Sequence, residues 1–232
     1  MKEIDEAIEQ YGVKDIKFFD DTFTINRKRL SEICKEMKKR KLKWCCLTRV
    51  NLVDYDMLRM MKKNGCYQVL FGIESGDDRV LKLLKKGTTV EQNERAIRLA
   101  KKAGLNVRCD FLIGSPGQTM ENMENTLKFA IKTNPDFAHF NKFTPYPGTE
   151  LYKLLESQGY KFDFSKSHSQ LDHSLIMYVP DGVKKEEYRK FLDDSFKRFY
   201  LRPRYILRQI MQIRSFQDVK RLSDGFFAIF GL

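Results

Sequence analysis

The chain has 232 residues, 42% of them hydrophobic, and a formal net charge of +12. That length is ample for a sizeable core. No apolar run reaches the roughly 20 residues that span a bilayer, and the opening Met-Lys-Glu-Ile-Asp-Glu-Ala-Ile-Glu-Gln is acidic and amphipathic without a signal-peptide core, so a cytoplasmic protein is expected.

In chain order, the N-terminal residues read as an acidic amphipathic helix. Asp15–Asp20 is a strand, and a helix follows from about Asn26 to Arg40, with Asn26 as its N-cap and Leu30, Ile33, Cys34 and Met37 as its apolar stripe. Lys43–Arg49 is the next strand and Tyr55–Asn64 the next helix, closed by Gly65. Tyr67–Ile73 is a strand, with helices at about Asp77–Leu84 and Glu91–Ala103. Asn106–Ile113, a helix at Met120–Lys132, the strand Phe137–Phe143 and a helix at Thr149–Ser157 complete the series. Five apolar strands, each followed by a helix across short connections, imply a parallel sheet with both faces covered. A barrel and a doubly wound sheet both satisfy this pattern, although the glycine-rich phosphate loop usual after the first strand of the latter is missing. Tyr160–Pro180 is irregular and carries His168 and His173. Helices are expected at Lys184–Tyr200, Pro203–Ile213 and Phe216–Phe227.

Charge is unevenly placed. Lys197 to Arg221 contains eight basic residues and one acid, so an acidic partner or a membrane surface is expected to meet this segment through its basic amphipathic helix, Arg204 and Arg208 included. Packing on its own domain with the arginines in water explains the helix equally. The five cysteines (Cys34, Cys45, Cys46, Cys66, Cys109) lack the short separations of paired metal ligands and read as reduced, buried thiols, with no metal site.

Polar groups at the carboxyl ends of parallel strands are where α/β barrels hold ligands. Asp20, Asp21 and Thr22 end the first strand, where they could hold an amine or hydroxyl ligand or simply cap a turn. Glu74 and Ser75 end the third strand, with Gly72 and Gly76 allowing close approach. Lys86, twelve residues beyond Glu74, could instead neutralise it. Asp110 lies mid-strand with Arg108 and Leu112 on its face, so an Arg108–Asp110 pair competes with a bound ribose or amine. Gly114-Ser115-Pro116-Gly117 forms a loop open to a ligand. His139, Asn141 and Phe143 share a strand face, and Pro145-Tyr146-Pro147-Gly148-Thr149 is a rigid link into a helix capped by Thr149.

Taken as an ordered set, Phe19-Asp20-Asp21-Thr22-Phe23-Thr24, Arg49-Val50-Asn51, Gly72-Ile73-Glu74-Ser75-Gly76, Lys86-Gly87-Thr88-Thr89, Asp110–Thr119 and Pro145–Thr149 resemble the radical S-adenosylmethionine (radical SAM) superfamily. The nearest branch is the cobalamin-associated one, similar to anaerobic Mg-protoporphyrin monomethyl ester cyclases. The resemblance implies a partial (βα)6 barrel lacking its first strand over residues 1–158, with a mainly helical extension over 159–232. It implies that Asp20, Asp21 and Thr22 meet the methionine amino group of S-adenosylmethionine. Glu74, Ser75 and Asp110 make ribose and methionine contacts, Lys86 faces the methionine carboxylate, and Gly114, Ser115, Pro116 and Gly117 approach adenine.

The family's CxxxCxxC motif, which binds a [4Fe–4S] cluster, is absent. The chain is therefore expected to be a fragment or truncated relative that binds no cluster and is inactive alone. In full-length relatives the resemblance implies a 5′-deoxyadenosyl radical, cobalamin in some members, an upstream cobalamin-binding domain, and a small-molecule or lipid substrate. Alternatives are a tRNA-directed methylthiotransferase and a non-catalytic binding module. An open barrel edge would favour a homodimer.

Overall fold

The computed structural model describes residues 1–164, 175–211, 213 and 220. His168, His173, Arg214 and the helix expected at Phe216–Phe227 lie outside them. The elements are α1 (Lys2–Tyr11), β1 (Asp15–Phe18), α2 (Arg27–Lys39), β2 (Lys43–Thr48), a 3₁₀ turn (Val50–Leu52), α3 (Tyr55–Lys63), β3 (Cys66–Glu74), α4 (Asp78–Leu83), α5 (Val90–Lys102), β4 (Asn106–Ile113), α6 (Met120–Thr133), β5 (Phe137–Lys142), α7 (Glu150–Ser157), α8 (Lys185–Tyr200) and α9 (Pro203–Met211).

Local chemistry sets most of these boundaries. Asn26 Oδ1 accepts from the Arg29 N–H at 3.0 Å, and Asp54 Oδ1 accepts from the Met57 N–H at 2.9 Å, so both side chains satisfy donors that the first helical turn leaves unpaired. Thr89 and Gln92 form a reciprocal capping box at the start of α5. Gly65, with φ of +94°, ends α3 as expected.

The strands form one sheet in the order β1-β2-β3-β4-β5, with β1–β2, β2–β3 and β3–β4 parallel. This order decides between the two architectures left open by periodicity. A doubly wound sheet reverses its strand order at a switch point, whereas a barrel adds each strand beside the last.

The two sheet faces are unequal. Along β4 and β5 burial alternates strictly. Val107, Cys109, Phe111, Ile113, Ala138 and Phe140 are fully buried on one face, while Arg108, Asp110, Leu112, His139 and Asn141 are half-buried on the other. The expectation of two apolar faces thus fails for these two strands: the second face is polar.

Contacts group the chain into two compact units. The first comprises Met1–Leu112 and Glu124–His139, and the second Ile113–Met123 and Phe140 onward. In the first unit, Phe18, Phe23 and Trp44 pack together, with Phe18 and Phe23 centroids 4.5 Å apart, and the indole N–H of fully buried Trp44 donates to the Asn64 carbonyl at 2.8 Å. In the second, Phe140 meets Phe196 and Phe199 at centroid distances of 5.5 and 6.0 Å. Arg202 lies 4.3 Å over Phe199 and Arg208 lies 5.1 Å over Tyr205. Two of the arginines read as free basic surface are therefore stacked on rings. Among the described residues, no helix is long and apolar enough to cross a membrane.

Candidate cofactor-binding site

The end of β3 departs from regular strand geometry. Its register with β4 shifts between Gly72 and Glu74, so that Gly72 faces Asp110 while Glu74 faces Phe111. Glu74 has φ of +64°, and the Ser75 N–H closes back on the Ile73 carbonyl at 2.8 Å. That hydrogen bond across a left-handed residue is a γ-turn, a strained conformation costing about 1–3 kcal/mol. The bulge returns the Glu74 carboxylate over Gly72, where Oε1 accepts from Lys86 Nζ at 2.8 Å. A Cβ on Gly72 would stand 3.0 Å from Glu74 Oε1 and 3.1 Å from Lys86 Nζ, so glycine at this position makes the room for the pair. The two side chains are 28% and 19% exposed. Arg49, just beyond β2, holds the Lys86 carbonyl.

Ser75 turns away from this pair. It is fully buried, its hydroxyl lies 2.9 Å from Thr126 Oγ1, and it accepts from the Asp77 N–H at 3.1 Å. The hydroxyl expected to grip a ligand beside Glu74 is thus committed to the start of α4 and to α6.

Beside Gly72, Asp110 accepts from Arg108 at 3.0 Å (Nε) and 3.4 Å (Nη2). The same guanidinium reaches His139 Nδ1 at 3.0 Å, so that nitrogen is the acceptor and the imidazole is neutral. Burial pushes the His139 pKa below the ordinary imidazole range; Arg108 and Lys17 push the same way, against Asp110. The half-buried face of β3–β5 therefore carries a Glu74–Lys86 pair and an Arg108–Asp110–His139 group around one glycine.

Asp20, Asp21 and Thr22 do not join that group. Asp20 and Asp21 are exposed, and Asp20 Oδ1 lies 3.9 Å from Arg29. In the second unit, Gly114 and Gly117 both have φ of +79°, and the Gly114 N–H donates to Gln118 Oε1 at 2.6 Å. Ser115 is fully buried, and neither its Oγ nor Thr144 Oγ1 has a hydrogen-bond partner.

Sequence reasoning missed Thr126, the Arg49 contact with the Lys86 carbonyl and the Arg108–His139 contact, since each joins segments distant in the chain. Arg49, within the Arg49-Val50-Asn51 element, and His139, two positions from Asn141 on one strand face, left a trace.

The sequence model of the Radical SAM superfamily matches residues 1–130. The chain belongs to this superfamily. It is 36% identical over 224 residues to an uncharacterized methyltransferase of Pyrococcus horikoshii, covering 95% of this chain and 48% of that protein. It is 32% identical over 206 residues to an anaerobic magnesium-protoporphyrin IX monomethyl ester cyclase of Cereibacter sphaeroides, covering 86% of this chain and 33% of that protein. Among solved structures, it is similar to the radical S-adenosylmethionine methyltransferase TsrM of Kitasatospora setae, described with cobalamin and a [4Fe–4S] cluster bound. There the TM-score is 0.59 at 18% identity, over 82% of this chain and 37% of that one, a likeness of fold. The chain thus spans half or less of the length of these relatives.

The donors of the radical SAM chain fit the two cofactors unequally. An iron–sulfur cluster takes thiolates. All five cysteines are buried, and burial raises the thiol pKa of Cys45, brings Cys34 to about 12, and carries Cys66 and Cys109 well above the ordinary range. Among the described residues no three of His, Cys, Asp and Glu could hold a metal ion. These residues do not fit a cluster. For S-adenosylmethionine they do fit: a carboxylate and an ammonium side by side complement an α-amino acid zwitterion.

Proposed function

We propose that this chain is the S-adenosylmethionine-binding part of a radical SAM enzyme of the cobalamin-associated type. The carrying observation is the pairing of Glu74 with Lys86 over Gly72, directly beside Asp110. In this reading, Glu74 accepts from the ligand's ammonium and Lys86 takes its carboxylate, each exchanging one ionic partner for another. Asp110 accepts from ribose hydroxyls, and neutral His139 keeps Arg108 aligned on Asp110. The resemblance alone assigns adenine to the Gly114–Gly117 loop, with Ser115 and Pro116, while Asp20, Asp21 and Thr22, which do not join the group around Gly72, take no part in this reading. S-adenosylmethionine supplies the adenosyl group for radical chemistry once a reduced cluster is present, and that cluster needs ligands other than these five cysteines.

Further parts of the proposal are supported by the relatives rather than by geometry. These are a cobalamin-binding partner domain and a small-molecule substrate; a core at 1–158 followed by an extension, and a cytoplasmic location, rest on the sequence alone. Isothermal titration with S-adenosylmethionine tests the site. Each of Glu74→Gln and Asp110→Asn removes a charge-assisted hydrogen bond, for a loss in affinity of about tenfold or more. Wild-type affinity in both variants, or no binding by the unaltered chain, refutes the reading.

A further inference from the structure

Two sequence elements, Arg49-Val50-Asn51 and Lys86-Gly87-Thr88-Thr89, meet at a contact to which the proposed function gives no role. Arg49 follows β2, Lys86 follows α4, and both belong to the first compact unit. The chain leaves α4 through a Schellman motif: the Lys85 N–H returns to the Lys82 carbonyl at 3.1 Å, and the Lys86 N–H to the Leu81 carbonyl at 3.0 Å. Lys85 rather than glycine fills the left-handed position of that motif, at φ of +50°, and Gly87 follows at +70°. Lys86 thus lies between two left-handed residues, on a connection that exposes Lys85 and Gly87 to solvent. A residue with a side chain seldom adopts this conformation, so local preference at Lys85 opposes the turn that aims Lys86 at Glu74.

A side chain from outside the connection holds it. Arg49 Nη2 donates to the Lys86 carbonyl, and a Cβ on Gly87 would stand 3.7 Å from the same nitrogen, so the guanidinium lies over Gly87 as well. Lys86 is thereby fixed at both ends of its backbone, by α4 through its N–H and by Arg49 through its carbonyl. Its side chain then reaches Glu74 Oε1 at 2.8 Å. Arg49 is itself anchored at the start of the 3₁₀ turn, where the Leu52 N–H returns to its carbonyl at 3.1 Å. Among the described residues its side-chain partners are neutral oxygens, the Lys86 carbonyl and Asn51 Oδ1. A charged donor makes the stronger bond to such an acceptor.

We propose that Arg49 is a positioning residue: bonded to the Lys86 carbonyl, it holds the connection after α4 so that the Lys86 ammonium meets the carboxylate of the ligand. This rests on the reading of the Glu74–Lys86 site given above, and it adds the end of β2 to that site.

The test uses the full chain with Arg49→Met, which removes the donors and keeps much of the stem, Arg49→Lys, which keeps a charged donor, Lys86→Met, and the paired Arg49→Met and Lys86→Met variant. Amide hydrogen exchange at Lys86 and along β4 is measured on each, with titrations of S-adenosylmethionine and of its decarboxylated analogue. Loss of the tether predicts about 3- to 10-fold faster exchange at Lys86 in Arg49→Met, with β4 unchanged, and a comparable fall in affinity for S-adenosylmethionine. Arg49→Lys is expected to recover part of both. In the Lys86→Met background, Arg49→Met is expected to change affinity by less than about twofold, since the side chain it positions is gone. The decarboxylated analogue, which offers Lys86 no partner, should bind Arg49→Met and the unaltered chain alike.

Lys86 exchange at the wild-type rate in Arg49→Met overturns the proposal, as does faster exchange with undiminished affinity, which would make the tether purely structural. Affinity losses that multiply in the paired variant also overturn it, because Arg49 would then touch the ligand on its own account. So does an Arg49→Met loss of equal size for the decarboxylated analogue. Failure of the unaltered chain to bind S-adenosylmethionine instead refutes the Glu74–Lys86 site, and Arg49 is then left as a folding contact.

Discussion

Gly72→Ala separates binding from folding at the centre of the site. Gly72 sits in β3 without a positive φ, so alanine suits the backbone there, and restricting the unfolded chain contributes about 0.5–1 kcal/mol of stability. Against this, the new Cβ would lie 3.0 Å from Glu74 Oε1 and 3.1 Å from Lys86 Nζ. Both contacts are the ends of flexible side chains, which can yield by breaking their ion pair. The pair's partners are 28% and 19% exposed, so each charge keeps some water when they separate, and parting them without deleting either group costs roughly 1 kcal/mol. The two effects nearly cancel, so the melting temperature is expected to stay within about 4 °C of wild type. Affinity for S-adenosylmethionine, however, is expected to fall about tenfold or more, because the methyl group stands where carboxylate and ammonium meet the ligand. Thermal melts and titration calorimetry on the same preparation give both numbers. A double-mutant cycle with Glu74→Gln and Lys86→Met should show coupling between the pair in the parent and almost none in Gly72→Ala. Undiminished affinity together with a melting temperature lowered by 8 °C or more would show that the glycine serves folding alone.

Other consequences follow from single contacts. Because the folded state lowers the His139 pKa below its unfolded value of 6.5, the unfolded chain binds more protons. Stability should therefore be complete above about pH 7 and decline as pH falls through 6.5; denaturant melts of His139→Gln should lose that slope, and an unchanged slope would refute the assignment. The five buried thiols should react slowly with Ellman's reagent in the native chain and rapidly in guanidinium, and anaerobic reconstitution should yield no stoichiometric [4Fe–4S] cluster. A fast-reacting native thiol would contradict the burial. Thr126→Val removes the hydroxyl that Ser75 and the Gly76 N–H share, at 2.9 and 3.2 Å, and should cost about 1–2 kcal/mol in denaturant melts without a direct effect on Glu74.

Strand and helix positions were legible because their signals are local. Apolar runs punctuated by caps placed Asn106–Ile113 with its observed boundaries, and Asn26, Gly65 and Thr149 acted as read. At the site, local rules reached only part way. The pairs Glu74–Lys86 and Arg108–Asp110 could be anticipated from spacing and strand period, and both formed. Ser75 could not be assigned, since its partner Thr126 is 51 residues distant, and the left-handed turn at Glu74 leaves no mark in composition.

The amino-acid order alone determined that strands and helices alternate, which residues cap them, and that no cysteine set has the spacing of cluster ligands, because each depends on near neighbours in the chain. Only the tertiary structure decided that strands lie in sequential order, that Gly72 makes room for an ion pair beside Asp110, and that Arg49 reaches the Lys86 carbonyl. Those outcomes depend on which distant segments pack together, and packing is settled by the shape and burial of the whole chain rather than by any stretch of it.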